Sequence, residues 1–98
     1  MIVVTRHTGA LDWFERRGTG PLRRLDHVGD AEIESFSAGD IVAGTLPVNV
    51  VARLNARGVR YLHLTLELPP ALRGKELTAD DMDAVGARLE EYAVRRIG

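Results

Sequence analysis

The sequence predicts a small three-layer α/β domain built on a mainly parallel four-stranded sheet. Two observations carry this. Short β-branched runs alternate with amphipathic helical stretches in the order βα, β, βα, βα, and 98 residues leave room for one hydrophobic core. A composition of 45% hydrophobic and 28% charged residues is that of a globular chain, which excludes wholesale disorder and a collagen-like class. Residues 1–98 are therefore read as a single domain, with no internal repeat and no linker.

Each element follows from its local pattern. Ile2-Val3-Val4-Thr5 is a β-branched run too short to make a helix face, and is the first strand. From Thr8 to Arg17 apolar Ala10, Leu11 and Phe14 are interleaved with charges, and Gly18 stands where a left-handed helix end favours glycine. Gly18-Thr19-Gly20-Pro21 breaks the chain, and Leu22 to Val28 alternates loosely enough for an edge strand. Gly29 to Gly39 is acidic and polar with a helical turn around Ala31 to Glu34; Asp40 to Gly44 then reads as a buried third strand. Thr45-Leu46-Pro47 opens a helix with the stripe Pro47, Val50, Val51, Leu54, closed by Gly58. Val59 to Leu68 is the fourth strand, with Leu62, Leu64, Leu66 and Leu68 on one face and Tyr61, His63, Thr65 and Glu67 on the other. Pro69-Pro70 ends it, and a loop carries Arg73-Gly74-Lys75-Glu76. Thr78 with Asp81 forms an imperfect capping box for a last helix whose stripe is Met82, Val85, Leu89 and Tyr92. Asp80, Asp81 and Asp83 are read as first-turn acids favoured by the helix dipole, and Trp13, Tyr61 and Tyr92 as packing residues before base-stacking ones.

Composition also excludes functions. A formal charge of −1 argues against coating long nucleic acid through bulk positive charge, although a localised basic site stays open. Twelve of the thirteen basic residues are arginine, a bias read first as the mark of a GC-rich genome. Without cysteine there is no disulfide scaffold, thiolate nucleophile or cysteine-based metal site. No apolar run approaches a membrane span of about 18 residues. Met1-Ile2-Val3-Val4 runs straight into Arg6-His7 instead of a signal-peptide core, so a cytoplasmic location is expected.

In a parallel α/β sheet, ligands bind beyond the carboxyl ends of the strands, where neighbouring connections leave to opposite faces; strands 1 and 3 are the expected neighbours. That edge collects Thr5-Arg6-His7-Thr8-Gly9, Gly44-Thr45-Leu46-Pro47 and the Arg73–Lys75 loop. Arg6, Arg73 and Lys75 supply cations, Thr8 and Thr45 hydroxyls, and two helix starts supply backbone N–H groups, which together describe a phosphate site. Cations just before a helix N-terminus sit on the wrong side of its dipole, and an anion would explain them. Each residue also has a plainer role: Arg6-His7 as a solvated pair, Gly44 and Thr45 as a turn and cap, Asn49 as an exposed amide, Arg73-Gly74-Lys75 as a solvated connection rather than a lid. His63 reads first as a hydrogen-bonded core residue. No metal-ligand spacing is visible.

Three segments carry a resemblance. Thr5-Arg6-His7-x-Gly9-Ala10-x-x-Trp13, Gly39-Asp40-x-Val42-x-Gly44-Thr45-Leu46-Pro47 and Tyr61-x-His63-Leu64-x-Leu66-x-Leu68-Pro69-Pro70-x-Leu72-Arg73-Gly74-x-Glu76-Leu77-Thr78 are similar to the signature of one small CRISPR-associated Csx family. The segments match without departure and span nearly the whole chain, the stretch from Pro21 to Ser37 excepted. The resemblance implies a compact Rossmann-like (CARF-like) fold that binds cyclic oligoadenylate, the second messenger of type III CRISPR signalling. It also implies a homodimer and a ring nuclease that opens the messenger.

On that reading the chemistry needs no metal or cofactor: a ribose 2′-hydroxyl attacks its neighbouring phosphorus, leaving a 2′,3′-cyclic phosphate and a free 5′-hydroxyl. Catalytic candidates are Arg6, His7 and Lys75, with Arg73 alternative to Lys75 as a cation and His63 in reserve as a proton shuttle. Ligand-binding candidates are Thr8, Gly9, Gly44, Thr45, Asn49 and Arg73. A monomer this small cannot enclose a ring of four phosphates, so size also favours a two-fold dimer. The competing readings are a non-cleaving binding protein, a protein-interaction module of a CRISPR complex, and a metal-dependent phosphodiesterase using His7, His63 and Glu67.

Overall fold

The computed structural model describes residues 1–18 and 20–98. The chain runs through β1 (Ile2–Val4), α1 (Thr8–Arg16), β2 (Arg23–Leu25), α2 (Asp30–Ser35), β3 (Ile41–Gly44), α3 (Val48–Ala56), β4 (Arg60–Thr65), α4 (Ala79–Ala84) and β5 (Arg88–Tyr92). The strands form one sheet in the order β2-β1-β3-β4-β5, parallel except for β5, which pairs antiparallel with β4. β2 covers only part of the Leu22 to Val28 segment, and position 19 of the Gly18–Pro21 break lies outside the described residues.

Chain direction explains the layering. The crossover from β1 to β2 steps one way along the sheet, and those from β2 to β3 and β3 to β4 step the other way. Crossovers of one hand then put α1 on the opposite face from α2 and α3. The core divides accordingly. Val3, Ala43 and Leu64 pack with Trp13 and Phe14 of α1 and Met82 of α4, whereas Ile2 and Val42, one residue out of phase, pack with Ile33 of α2 and Leu54 of α3. Among the described residues no helix is long and apolar enough to cross a membrane.

Two expectations fail together at the carboxyl end. The sheet has five strands instead of four, and the last helix stops at Ala84, leaving Leu89 and Tyr92 on β5. The 3-4-3 spacing of Met82, Val85, Leu89 and Tyr92 looks helical, but Gly86 takes a left-handed φ of 73° that ends the helix. The following residues then satisfy the open hydrogen-bonding edge of β4, a tertiary reward that local periodicity does not register. Arg60 grips Glu91 with two hydrogen bonds of 2.9 and 2.7 Å, and the Thr65 hydroxyl donates to Glu90 at 2.6 Å. These contacts hold both carboxyls below the usual carboxylate range, so they are intact at neutral pH and weaken as acid protonates them.

The aspartates of α4 also divide. Asp81 completes a capping box with Thr78, as its position suggests. Asp83 instead accepts the buried indole N–H of Trp13 at 2.8 Å, and Asp80 pairs with Arg16 at 2.6 Å, so both tie α4 to α1.

Candidate functional site

β1 and β3 are adjacent, with Ile2 opposite Val42 and Val3 opposite Ala43, and their continuations leave in opposite directions. A crevice opens between their carboxyl ends. Gly44 makes the close approach possible: a Cβ there would lie 2.9 Å from the Val4 carbonyl oxygen. On the other side Arg24 of β2 donates its Nε–H to the Thr5 carbonyl at 3.1 Å and steadies the strand end.

Two hollows share a wall made of Val4, Thr5, His7 and Thr45. The first, of about 210 Å³, lies on the α1/α4 side and brings His7, Gly44, Thr45 and Lys75 together with Glu76 over an apolar floor. The second, of about 370 Å³, lies toward α3 and contains Arg6, Asp26 and His27 beside Leu46 and Pro47. Among the described residues Arg6, Arg73 and Lys75 make no ion pair, which leaves these cations available to an anion.

The other candidates lie elsewhere. Thr8 is exposed on the first residue of α1 and lines neither hollow. Gly9 is buried against the chain at Leu77, so its missing side chain serves packing. Asn49 lines a separate groove with the carboxyl-terminal segment Val94–Arg96. Arg73 is exposed and lines neither hollow, unlike Lys75 two residues on. Among the described residues no group of three or more histidines and acids is placed to hold a metal ion, so His7, His63 and Glu67 do not form such a set.

Two residues that the sequence reading passed over organise the site. The first is Glu76, whose carboxylate oxygens lie 3.0 and 3.1 Å from His7 Nδ1. Both side chains are about two-thirds exposed or more, at 66% and 74%, so the pair adds little stability, and its effect is positional. A carboxylate only accepts, so His7 donates from Nδ1, and in the neutral ring Nε2 keeps its lone pair. Glu76→Gln presents an amide that both donates and accepts. Nitrogen NMR of neutral His7 should show the Nδ1–H form dominant in the wild type and a shift toward Nε2–H in the variant; identical populations would refute the contact.

The second is Tyr61, buried at the start of β4. Its hydroxyl accepts the Leu46 N–H at 2.9 Å, donates to the Gly44 carbonyl at 2.9 Å and meets His63 Nδ1 at 2.7 Å. With its one proton on the Gly44 carbonyl, the phenol must accept from His63, which makes His63 a structural donor here. Burial pushes the phenol pKa up, so it stays protonated in this role. The network clamps the turn that presents Thr45. Tyr61→Phe strands the Leu46 N–H and should destabilise the domain by about 1–3 kcal/mol, read as a lower urea midpoint. An unchanged midpoint would show the clamp to be dispensable.

Fold and site together define a small α/β domain with a cation-rimmed crevice at the carboxyl edge of its sheet. Residues 2–95 match the family model described as "Putative CRISPR-associated protein (Cas_VVA1548)", and the chain belongs to this CRISPR-associated family. A search of curated proteins and a search of solved structures each give no match.

Proposed function

We propose that this CRISPR-associated protein is a ring nuclease that binds cyclic oligoadenylate, with cyclic tetra-adenylate the expected substrate, and opens it without a metal. The observation that carries the reading is the meeting of His7, Thr45 and Lys75 around one hollow with Arg6 beside it, at the crevice between β1 and β3. The strand order 2-1-3-4 and helices on both faces support a Rossmann-like fold, in which this crevice is the ligand edge.

In the proposed reaction His7 Nε2 accepts the proton of a ribose 2′-hydroxyl as that oxygen attacks the adjacent phosphorus. The bond from phosphorus to the 5′-oxygen breaks, and the proton is returned to that leaving oxygen. Products are a 2′,3′-cyclic phosphate and a free 5′-hydroxyl. Lys75 and Arg6 neutralise the charge that builds on phosphorus-bound oxygens, and Thr45 with the first N–H groups of α1 and α3 holds them. A molecule of 36 × 32 × 20 Å exposes one such edge per chain, so a two-fold homodimer presents two edges to a near-symmetric ring.

The test is product analysis after incubation with cyclic tri-, tetra- and hexa-adenylate, with and without chelator. Linear products ending in 2′,3′-cyclic phosphate, formed equally in EDTA, are expected. A ring retained intact would make the protein a binder, and activity abolished by EDTA would overturn the metal-independent route.

A further inference from the structure

We infer that the hollow on the α1/α4 side is a seat for a purine base, with the phosphates lying outside it along the wall formed by Thr5, His7 and Thr45. The inference rests on the nucleotide reading above and adds which part of the ligand enters which hollow. The two hollows share that wall but differ in chemistry. The seat's floor is Phe14, Leu64, Leu66, Leu77 and Met82, and its polar groups, Lys75 and Glu76, come from the loop before α4. The neighbouring hollow contributes Arg6, with Asp26 and His27, beside Val28, Leu46 and Pro47, and lacks the aromatic and thioether floor.

Size comes first. At about 210 Å³ the seat is smaller than the roughly 300–1,000 Å³ that takes a whole drug-sized ligand, so it receives one part of a larger molecule. Chemistry then selects the part. A phosphate or a ribose placed against leucine and methionine side chains would lose its hydration without recovering hydrogen bonds. A heteroaromatic ring meets both demands: its faces pack on the apolar floor and on the Met82 thioether, and its edge carries donors and acceptors toward the rim. The Thr5 hydroxyl on the wall, which accepts the His7 N–H and keeps its own proton to donate, and the Glu76 carboxylate offer that edge both kinds of partner. The ligand class that combines such a ring with an anion for the adjoining cations is a nucleotide.

Wild-type protein with labelled Leu and Met methyl groups is titrated by NMR with AMP, with ribose 5-phosphate and with cyclic tetra-adenylate. AMP and the ring should move the methyl signals of Leu64, Leu66, Leu77 and Met82, and ribose 5-phosphate should not. Leu66→Trp, which fills the seat, should weaken ring binding by about tenfold or more. Because that variant can misfold, the wild-type spectra decide. A ring that is bound or cleaved while these methyls stay still overturns the seat and leaves the nuclease reading intact. Methyl shifts with a ring that is never cut support the seat and overturn the nuclease reading. Still methyls together with a ring that is neither bound nor cut overturn both.

Discussion

His7→Ala is expected to slow cleavage of cyclic tetra-adenylate by about 10²–10⁴-fold, the usual contribution of a positioned general base, while leaving the thermal midpoint close to that of the wild type. The separation follows from exposure. His7 has two-thirds of its side chain in solvent, and among the described residues its ring hydrogen-bonds only to the exposed Glu76, so its removal leaves no buried partner unsatisfied. His63→Ala is the informative contrast. His63 sits part-buried on Tyr61, with Tyr92 edge-on at 5.9 Å, so its loss should lower the midpoint and affect cleavage only through the turn at Thr45. Rates and melts of both variants, measured on the same preparation, check the assignment. Wild-type cleavage by His7→Ala would remove His7 from the proton-transfer role.

Gly9→Ala should be the most damaging single-methyl change in the chain, destabilising it by about 3 kcal/mol or more. Gly9 has no need of a special φ; what it needs is space. A Cβ there would overlap the Leu77 carbonyl oxygen and lie 3.0 Å from its carbon, and backbone atoms cannot swing aside as a side chain can. α1 must then part from the segment that enters α4. Because that segment carries Leu77 and Glu76, the base of the proposed seat and the partner of His7 move with it. A domain of this size loses roughly 4–8 °C per kcal/mol, so the melt should shift by about 12 °C or more, with cleavage impaired even where the variant stays folded. Gly74→Ala is the control: φ is 77° but nothing lies within 4 Å of the added carbon, and the conformational strain alone should cost about 1 kcal/mol. A Gly9→Ala melt equal to that of the Gly74 variant would show that α1 and the 77–78 segment part easily.

Much of the architecture was legible because the relevant physics is local. Ile2 to Val4 and Ile41 to Gly44 are too short and too β-branched for anything but buried strands, and they are neighbours as the crossover order requires. Gly18 and Gly58 end α1 and α3 with φ of 65° and 79°, as their positions after amphipathic stripes implied. The leucine alternation placed Leu62, Leu64 and Leu66 on the α1/α4 side and Tyr61 and His63 on the other. From that topology Arg6, His7, Gly44 and Thr45 were expected at one crevice, and they line its two hollows.

What escaped that reading depends on partners far along the chain. Arg88 to Tyr92 carries a spacing compatible with helix or strand, and the unfilled edge of β4 decided between them. Glu76 looked like one more charge in a basic loop until it met His7, 69 residues away. Asp83 belonged to a helix start on local grounds and to Trp13 in the fold. The sequence by itself determined the element types where a run was strongly periodic or β-branched, and, through the crossover rule, the sheet edge at which the candidate residues collect. Only the tertiary structure decided the fifth strand, the orientation of His7 and the division of the edge into one hollow with Lys75 and Glu76 and another with Arg6, Asp26 and His27. These depend on hydrogen bonds and close packing between segments that have no periodic relation to one another.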